Sequence, residues 1–433
     1  MERELLVILG FSGMFGLMAL RVPVAIAMGV TGIAGFGAVA GWMPAINLLA
    51  NVPLSVITDY NLSVIPMFVL MGAFASYGGM SRELYEAGRT WLGHFRGGLA
   101  LASVFSCAGF AAINGSSVAT TATMTQIALP EMRRGGYDAG LSAGMIAAGG
   151  TLGIMIPPSV IFVLYGIMTE IEITELFAAG VIPGLMAVVF YSLLISYLSK
   201  KYPHLLPRGE KFSWAERWHS VRGLWAIFFL FLMVLGGIYS GIFTVQEAAG
   251  VGAIGALVIG VIRGQLRMPE IRGALVQALR VSSAIMLIVI GAYLFGYFLT
   301  VTQFTQNAVE FLVELPIGAY GVLTLIMLCY LVLGAVMDEL AMLLLTVPIV
   351  VPAIVALGFD PVWFGVILVM AVTLGLISPP VGMNVFVINS IARDVPLVSI
   401  YKGTLPFISM DIIRLIILCA FPALSLWLPG ILT

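Results

Sequence analysis

From 281 to 392 the sequence contains no lysine and no arginine. So long a stretch without a cation cannot coat a water-facing domain. It consists of Leu, Ile, Val, Met and Phe runs, and about 20 such residues suffice to cross a bilayer. The rest of the chain is of the same kind, with 61% of its 433 residues apolar and 9% charged. Soluble domains run at about 45–50% and about 25%. An ordinary soluble enzyme, a nucleic-acid binder and a disordered chain are thereby excluded. There is room for roughly ten to twelve spans. The start, Met1-Glu2-Arg3-Glu4, is no basic leader and no small-residue cleavage site follows, so it reads as an uncleaved first span.

Two uncharged runs are too long for one helix. The run 97–130 turns at Asn114-Gly115-Ser116-Ser117, and 317–357 turns around Gly334 to Glu339, so each reads as a re-entrant hairpin. Five true crossings then precede residue 200 and five follow 222. In this scheme eighteen of the 20 Lys and Arg residues fall on one side, the exceptions being Arg3 and Arg414. The opposite side receives Asp59, Glu170, Glu172, Glu175, Glu310, Glu314 and Asp360. By the positive-inside rule the basic side is cytoplasmic and both termini lie outside.

The two halves match at a nearly constant offset. Thr151-Leu152-Gly153-Ile154-Met155-Ile156-Pro157-Pro158 aligns with Thr373-Leu374-Gly375-Leu376-Ile377-Ser378-Pro379-Pro380, and Pro183 aligns with Pro406. Gly72 and Ala73 align with Gly291 and Ala292, and both hairpin turns fall at the same place in each half. An odd number of crossings per half makes the second copy upside down. The expected organisation is an all-α polytopic membrane protein of two inverted repeats. The first occupies 1–198 (hairpin 97–130, broken helix 139–169), a cytoplasmic linker 199–222, and the second 223–433 (hairpin 317–357, broken helix 362–391). Interrupted segments at matching positions are the signature of a secondary transporter.

Pro157-Pro158 and Pro379-Pro380 cannot continue a helix, because each proline lacks the donor and clashes with the preceding turn. The breaks free carbonyls at one half-helix end and present amides at the next. Carbonyls with Ser and Thr hydroxyls suit a small hard cation such as sodium, and amide ends suit a carboxylate. Asn114, Ser116 and Ser117 offer side-chain oxygens at the first tip. Asp338 is costly inside a membrane and reads as functional, whereas its neighbour Glu339 could face water. Asn384 follows the second break closely. Asp411 and Arg414, three apart on the last span, read as a structural ion pair. Gly250-Val251-Gly252-Ala253-Ile254-Gly255 fits a dinucleotide fingerprint but lies inside an apolar span, so it reads as helix packing. Cys107, Cys329 and Cys419 lie in apolar runs and read as small hydrophobes.

Asn114-Gly115-Ser116-Ser117, Gly153-Ile154-Met155-Ile156-Pro157-Pro158-Ser159, Met337-Asp338 leading to Leu345-Thr346-Val347-Pro348, and Ser378-Pro379-Pro380-Val381-Gly382-Met383-Asn384 together resemble the large membrane subunit of tripartite ATP-independent periplasmic (TRAP) transporters. The resemblance covers essentially the whole chain. It implies an elevator-type, ion-transporter-superfamily fold in the bacterial inner membrane and sodium-coupled uptake of an organic acid, with no enzymatic activity. It implies two partners, a separate small four-helix membrane subunit and a periplasmic substrate-binding protein. Sodium ligation is implied at Ser116, Ser117, Gly153 and Ile156 and at Gly334, Thr373 and Ser378. Substrate contact is implied at Asn114, Ser117, Ser159, Asp338 and Asn384. A stand-alone sodium–dicarboxylate carrier of the same fold, and an ion channel, remain open as alternatives.

Overall fold

The structure, a computed structural model, describes residues 3–432. Their regular structure is helical, with one isolated bridge between Arg96 and Arg208 and no strand among them. The helices are α1 (Arg3–Ala19), α2 (Val24–Ala40), α3 (Trp42–Thr58), α4 (Val64–Tyr77), α5 (Met80–Leu92), α6 (Gly98–Asn114), α7 (Ser117–Arg134), α8 (Ala139–Met155), α9 (Val160–Thr169), α10 (Ile173–Lys201) and α11 (Trp214–Gly223). There follow α12 (Trp225–Phe231), α13 (Gly237–Tyr239), α14 (Val245–Ile262), α15 (Met268–Val301), α16 (Phe304–Glu314), α17 (Gly318–Gly334) and α18 (Glu339–Ala356). The last are α19 (Pro361–Ile377), α20 (Met383–Ile391), α21 (Leu397–Ala420) and two short terminal turns.

Among the described residues, seven helical segments are long and apolar enough to cross a membrane, or eight if the α3–α4 pair, bent by 61°, counts as one span. The reading of ten crossings differs for a length reason. α1 and α2 have 17 residues each and α19 ends at a break after 17, about 25 Å at 1.5 Å per residue. Conversely α18, a hairpin arm in the sequence reading, is long enough by itself at 18 residues. α3 belongs to no apolar run in that reading, because Pro44, Asn47, Asn51 and Pro53 interrupt it.

The packing of the elements comes in matched pairs. α2 packs on α15 and α14 on α4; α8 packs on α21 and α19 on α10; α20 packs on α7 and α9 on α18. Capping follows the same offset. Asp138 caps α8 by accepting from Leu141 N at 2.8 Å. Asp360 caps α19 by accepting from Val362 N at 2.8 Å and Trp363 N at 3.0 Å. An extended residue with a carboxylate at this position satisfies amides that the helix itself leaves open. The glycine-rich stretch of α14 is a packing surface: a Cβ at Gly252 would stand 2.5 Å from Met71 Sδ and one at Gly255 2.6 Å from Met233 Cε. The linker is folded onto α5, where Trp91 meets Trp214 and Trp218 edge-on and donates from Nε1 to Arg217 O at 3.2 Å.

Candidate functional site

The first hairpin turns on Gly115, whose φ of 63° lies in the left-handed region that a residue with a Cβ avoids. Ser116 then caps α7, its Oγ accepting from Ala119 N at 3.4 Å. This tip rests on the first break. Gly115 O accepts from Val160 N, the first amide of α9, at 3.4 Å. A Cβ at Gly153 would stand 2.4 Å from Ser116 O, so only glycine lets the tip backbone lie on α8. Thr120 Oγ1 donates to Ser116 O at 2.8 Å, and Asn114 Nδ2 lies 3.4 Å from Thr120 Oγ1. Ser117 and Asn384 are fully buried and hydrogen-bonded, Asn384 Nδ2 to Ser117 Oγ at 2.8 Å and to Ala147 O at 3.0 Å.

The second tip repeats this arrangement. Ala335 O accepts from Val381 N, just past Pro379-Pro380, at 3.2 Å. Gly375 packs on Gly334, a Cβ at Gly375 standing 2.6 Å from Gly334 Cα. Pro157-Pro158 and Pro379-Pro380 are both cis peptides. Asp338 caps α18, accepting from Leu340 N at 3.0 Å. The second break is braced from α21: Thr404 Oγ1 donates to Ile377 O at 3.2 Å, and Tyr401 OH lies 2.8 Å from Pro380 O and 2.6 Å from Val381 O. The breaks differ in exposure, with Pro157 and Pro158 buried and Pro379 and Pro380 exposed.

The structure therefore brings Ser116, Gly153 and the turn after Ile156 together at one tip. It brings Gly334 and the segment from Thr373 to Ser378 together at the other, and it joins Ser117 to Asn384. Ile156 N bonds Leu152 O at 3.0 Å, Thr373 Oγ1 bonds Met370 O at 2.7 Å and Ser378 N bonds Gly375 O at 3.2 Å. Ser159 is buried beside the first break, its hydroxyl donating to Ile154 O at 2.6 Å and tying the two half-helices together. Asn114 stands against α4, where a Cβ at Gly72 would meet its Oδ1 at 2.4 Å. Sequence reasoning passed over Thr120, Thr151, Gly375, Tyr401 and Thr404. The offset already carried Thr151 and Gly375, the partners of Thr373 and Gly153; Thr151 Oγ1 bonds Ala148 O at 2.7 Å just as Thr373 bonds Met370. Among the described residues no three His, Cys, Asp or Glu side chains gather to hold a metal. The donors here are hydroxyls and carbonyls, which suit hard cations.

Behind the site lies the ion pair on α21. Arg414 Nη2 is 3.1 Å from Asp411 Oδ1, both residues are at most 1% exposed, and Tyr191 OH on α10 donates to Asp411 Oδ2 at 2.7 Å.

Residues 11–424 match the family model described as the tripartite ATP-independent periplasmic transporter, DctM component. The chain belongs to this family. A curated relative, the C4-dicarboxylate TRAP transporter large permease protein of Pseudomonas aeruginosa, is 37% identical over 374 residues, 86% of each chain. The isethionate TRAP transporter permease protein of Oleidesulfovibrio alaskensis is 33% identical over 431 residues, 98% of this chain and 66% of that one. Among solved structures, the YdaH transporter of Alcanivorax borkumensis superposes with a TM-score of 0.63 at 13% identity, covering 88% of this chain and 89% of the other. That likeness is one of fold. The permease is thus an all-helical, multi-pass membrane protein whose relatives are named for different substrates.

Proposed function

We propose that the permease imports an organic acid across the bacterial inner membrane by sodium symport. Its halves 1–198 and 223–433 act as inverted repeats in an elevator-type cycle, with 199–222 on the cytoplasmic side. A periplasmic binding protein delivers the acid, and a separate small membrane subunit completes the complex. The observation that carries this reading is the tip-on-break contact made twice, Gly115 O with Val160 N and Ala335 O with Val381 N. Each contact brings carbonyls, hydroxyls and a closely packed glycine together at an interrupted span, where a bilayer tolerates irregular backbone only if it is buried in protein or lines a cavity. Sodium is the cargo of Ser116, Ser117, Gly153 and Ile156 and of Gly334, Thr373 and Ser378; Asn114, Ser117, Ser159, Asp338 and Asn384 face the substrate.

The test is uptake into proteoliposomes holding the permease and its small subunit, with the binding protein outside. Uptake requires an inward sodium gradient and no ATP, and Ser117→Ala raises the sodium concentration for half-maximal rate. Full-rate uptake without sodium, or without the binding protein, overturns the reading.

A further inference from the structure

Glu339 opens α18 directly after Asp338 and is 7% exposed. Its Oε2 is sealed from solvent and has no hydrogen-bond partner. The ion pairs among the described residues join other acids, namely Glu83, Glu131, Asp394 and Asp411. The elements packed on α18 are α9, α15, α16, α17 and α19. On α9, the Tyr165 hydroxyl bonds Pro361 O, and on α17 that of Tyr330 bonds Thr346; Cys329 of α17 is an exposed thiol. α16 carries Glu310 and Glu314, and α19 carries no ionisable carboxyl or amine. α15 carries Tyr293 and Tyr297 beside Leu344 and Leu345 of α18, while its Glu270, Arg272 and Arg280 lie toward its opposite end. Its chain neighbour Asp338 is a carboxylate, of the same sign.

A carboxylate in such surroundings loses its hydration and gains no cation, so the neutral acid is the stable form. Sodium would need several oxygens converging on it, and the sealed Oε2 has no polar partner; a proton needs the carboxyl alone. We propose that Glu339 is a proton-binding site of the second hairpin, held as the neutral acid at neutral pH and ionised only when the tip opens to water. Resting on the reading of that tip as part of the transport site, this makes import slow at alkaline pH even with the sodium gradient intact, since the hairpin closes only over a protonated Glu339.

The decisive measurement uses the proton as probe and needs no substrate. In infrared difference spectra of the full chain in lipid, a carboxylic-acid carbonyl band disappears as pH is raised from about 6 to about 9, the range in which buried glutamates titrate. Glu339→Gln lacks that band and Asp338→Asn keeps it. The same band in Glu339→Gln, or its absence from the parent chain, overturns the proposal. Kinetics supply a second arm, with succinate as the C4-dicarboxylate probe at a fixed sodium gradient. Parent uptake falls over that range, approaching tenfold per pH unit beyond the midpoint as one proton is lost, and Glu339→Gln becomes flat. A flat parent profile overturns the proposal. Sodium-independent uptake defeats the transport reading alone, and failure to take up succinate defeats only that choice of probe; in either case the infrared arm still decides on Glu339.

Discussion

Asn384 spans the two halves of the chain: from α20 its Nδ2 reaches Ser117 Oγ at 2.8 Å and the Ala147 carbonyl at 3.0 Å, and all of this lies out of water. The first hairpin tip is thereby clamped by a residue that follows the second break. Asn384→Ala leaves the Ser117 hydroxyl buried without the partner it has on α20 and takes the second hydrogen bond from the Ala147 carbonyl, which costs about 1–3 kcal/mol. Ser117→Ala costs less, since Asn384 keeps Ala147. The double variant should lose less than the sum of the two, as contacting residues do. Melting of the single and double variants in one lipid composition checks this, and strict additivity would show the pair to be uncoupled.

The glycine floors give a second expectation. An added methyl at Gly153 meets Ser116 O at 2.4 Å and one at Gly375 meets Gly334 Cα at 2.6 Å. Both neighbours are backbone, so neither can swing aside and the tip must lift. Gly153→Ala and Gly375→Ala should each lose most uptake and about 1–3 kcal/mol of stability, the usual range for overpacking. Gly250→Ala is the control, because nothing lies within 4 Å of its Cβ position. Uptake by Gly153→Ala at the level of Gly250→Ala would refute the tight tip contact.

Much of this was legible in the sequence because the signals were local. Pro-Pro in an apolar run dictates a break wherever it is packed, and Gly115 followed by Ser116 dictates a turn and a cap. What stayed hidden was tertiary. Tyr401 and Thr404 brace carbonyls 20 to 27 positions earlier in the chain, and nothing in their own neighbourhood distinguishes them from any helical Tyr or Thr. The bond from the Ser159 hydroxyl to Ile154 O, which ties the two half-helices of the first break, is likewise invisible in the residue type. α3 was missed because Pro44, Asn47, Asn51 and Pro53 interrupt its apolar run, although its buried face (Ala45, Val52, Val56) and its exposed face (Trp42, Ile46, Ile57) are both apolar.

Outside the membrane helices, Arg133 at the end of α7 forms an ion pair with Asp394 in the turn before α21. The hydrogen bond from that guanidinium holds the Asp394 carboxyl below its usual range. A lowered folded value means the stabilisation is fully present above the unfolded value of about 3.9 and is lost as pH falls through the folded one. The difference in melting temperature between the parent and Asp394→Asn should therefore be present at pH 7, vanish in strong acid, and shrink in about 1 M salt, where the Debye length is about 3 Å. A difference that persists unchanged at high salt would mean the aspartate acts through packing.

Orientation is checked by thiol labelling in a background without the native cysteines. A membrane-impermeant reagent added outside should modify Glu172→Cys, in the turn before α10, and miss Lys201→Cys at its other end. Modification of Lys201→Cys alone would reverse the orientation drawn from the distribution of basic residues.

The buried pair of α21 separates a structural charge from a functional one. Asp411→Leu strands Arg414, 1% exposed, with only Met370 Sδ at 3.1 Å as a neighbour for its Nε. Removing one member of a buried pair costs about 3–5 kcal/mol, because the other charge stays desolvated. Replacing both, as Asp411→Leu with Arg414→Met, removes the stranded charge and fills the space against Met370 and Tyr191, so most of that loss should return. Tyr191→Phe takes away the donor to Asp411 Oδ2 and should fall between the two. Uptake should follow stability across the series if the pair only holds α10, α19 and α21 together. A double variant that melts like the parent yet transports nothing would show instead that the charges themselves take part in the cycle.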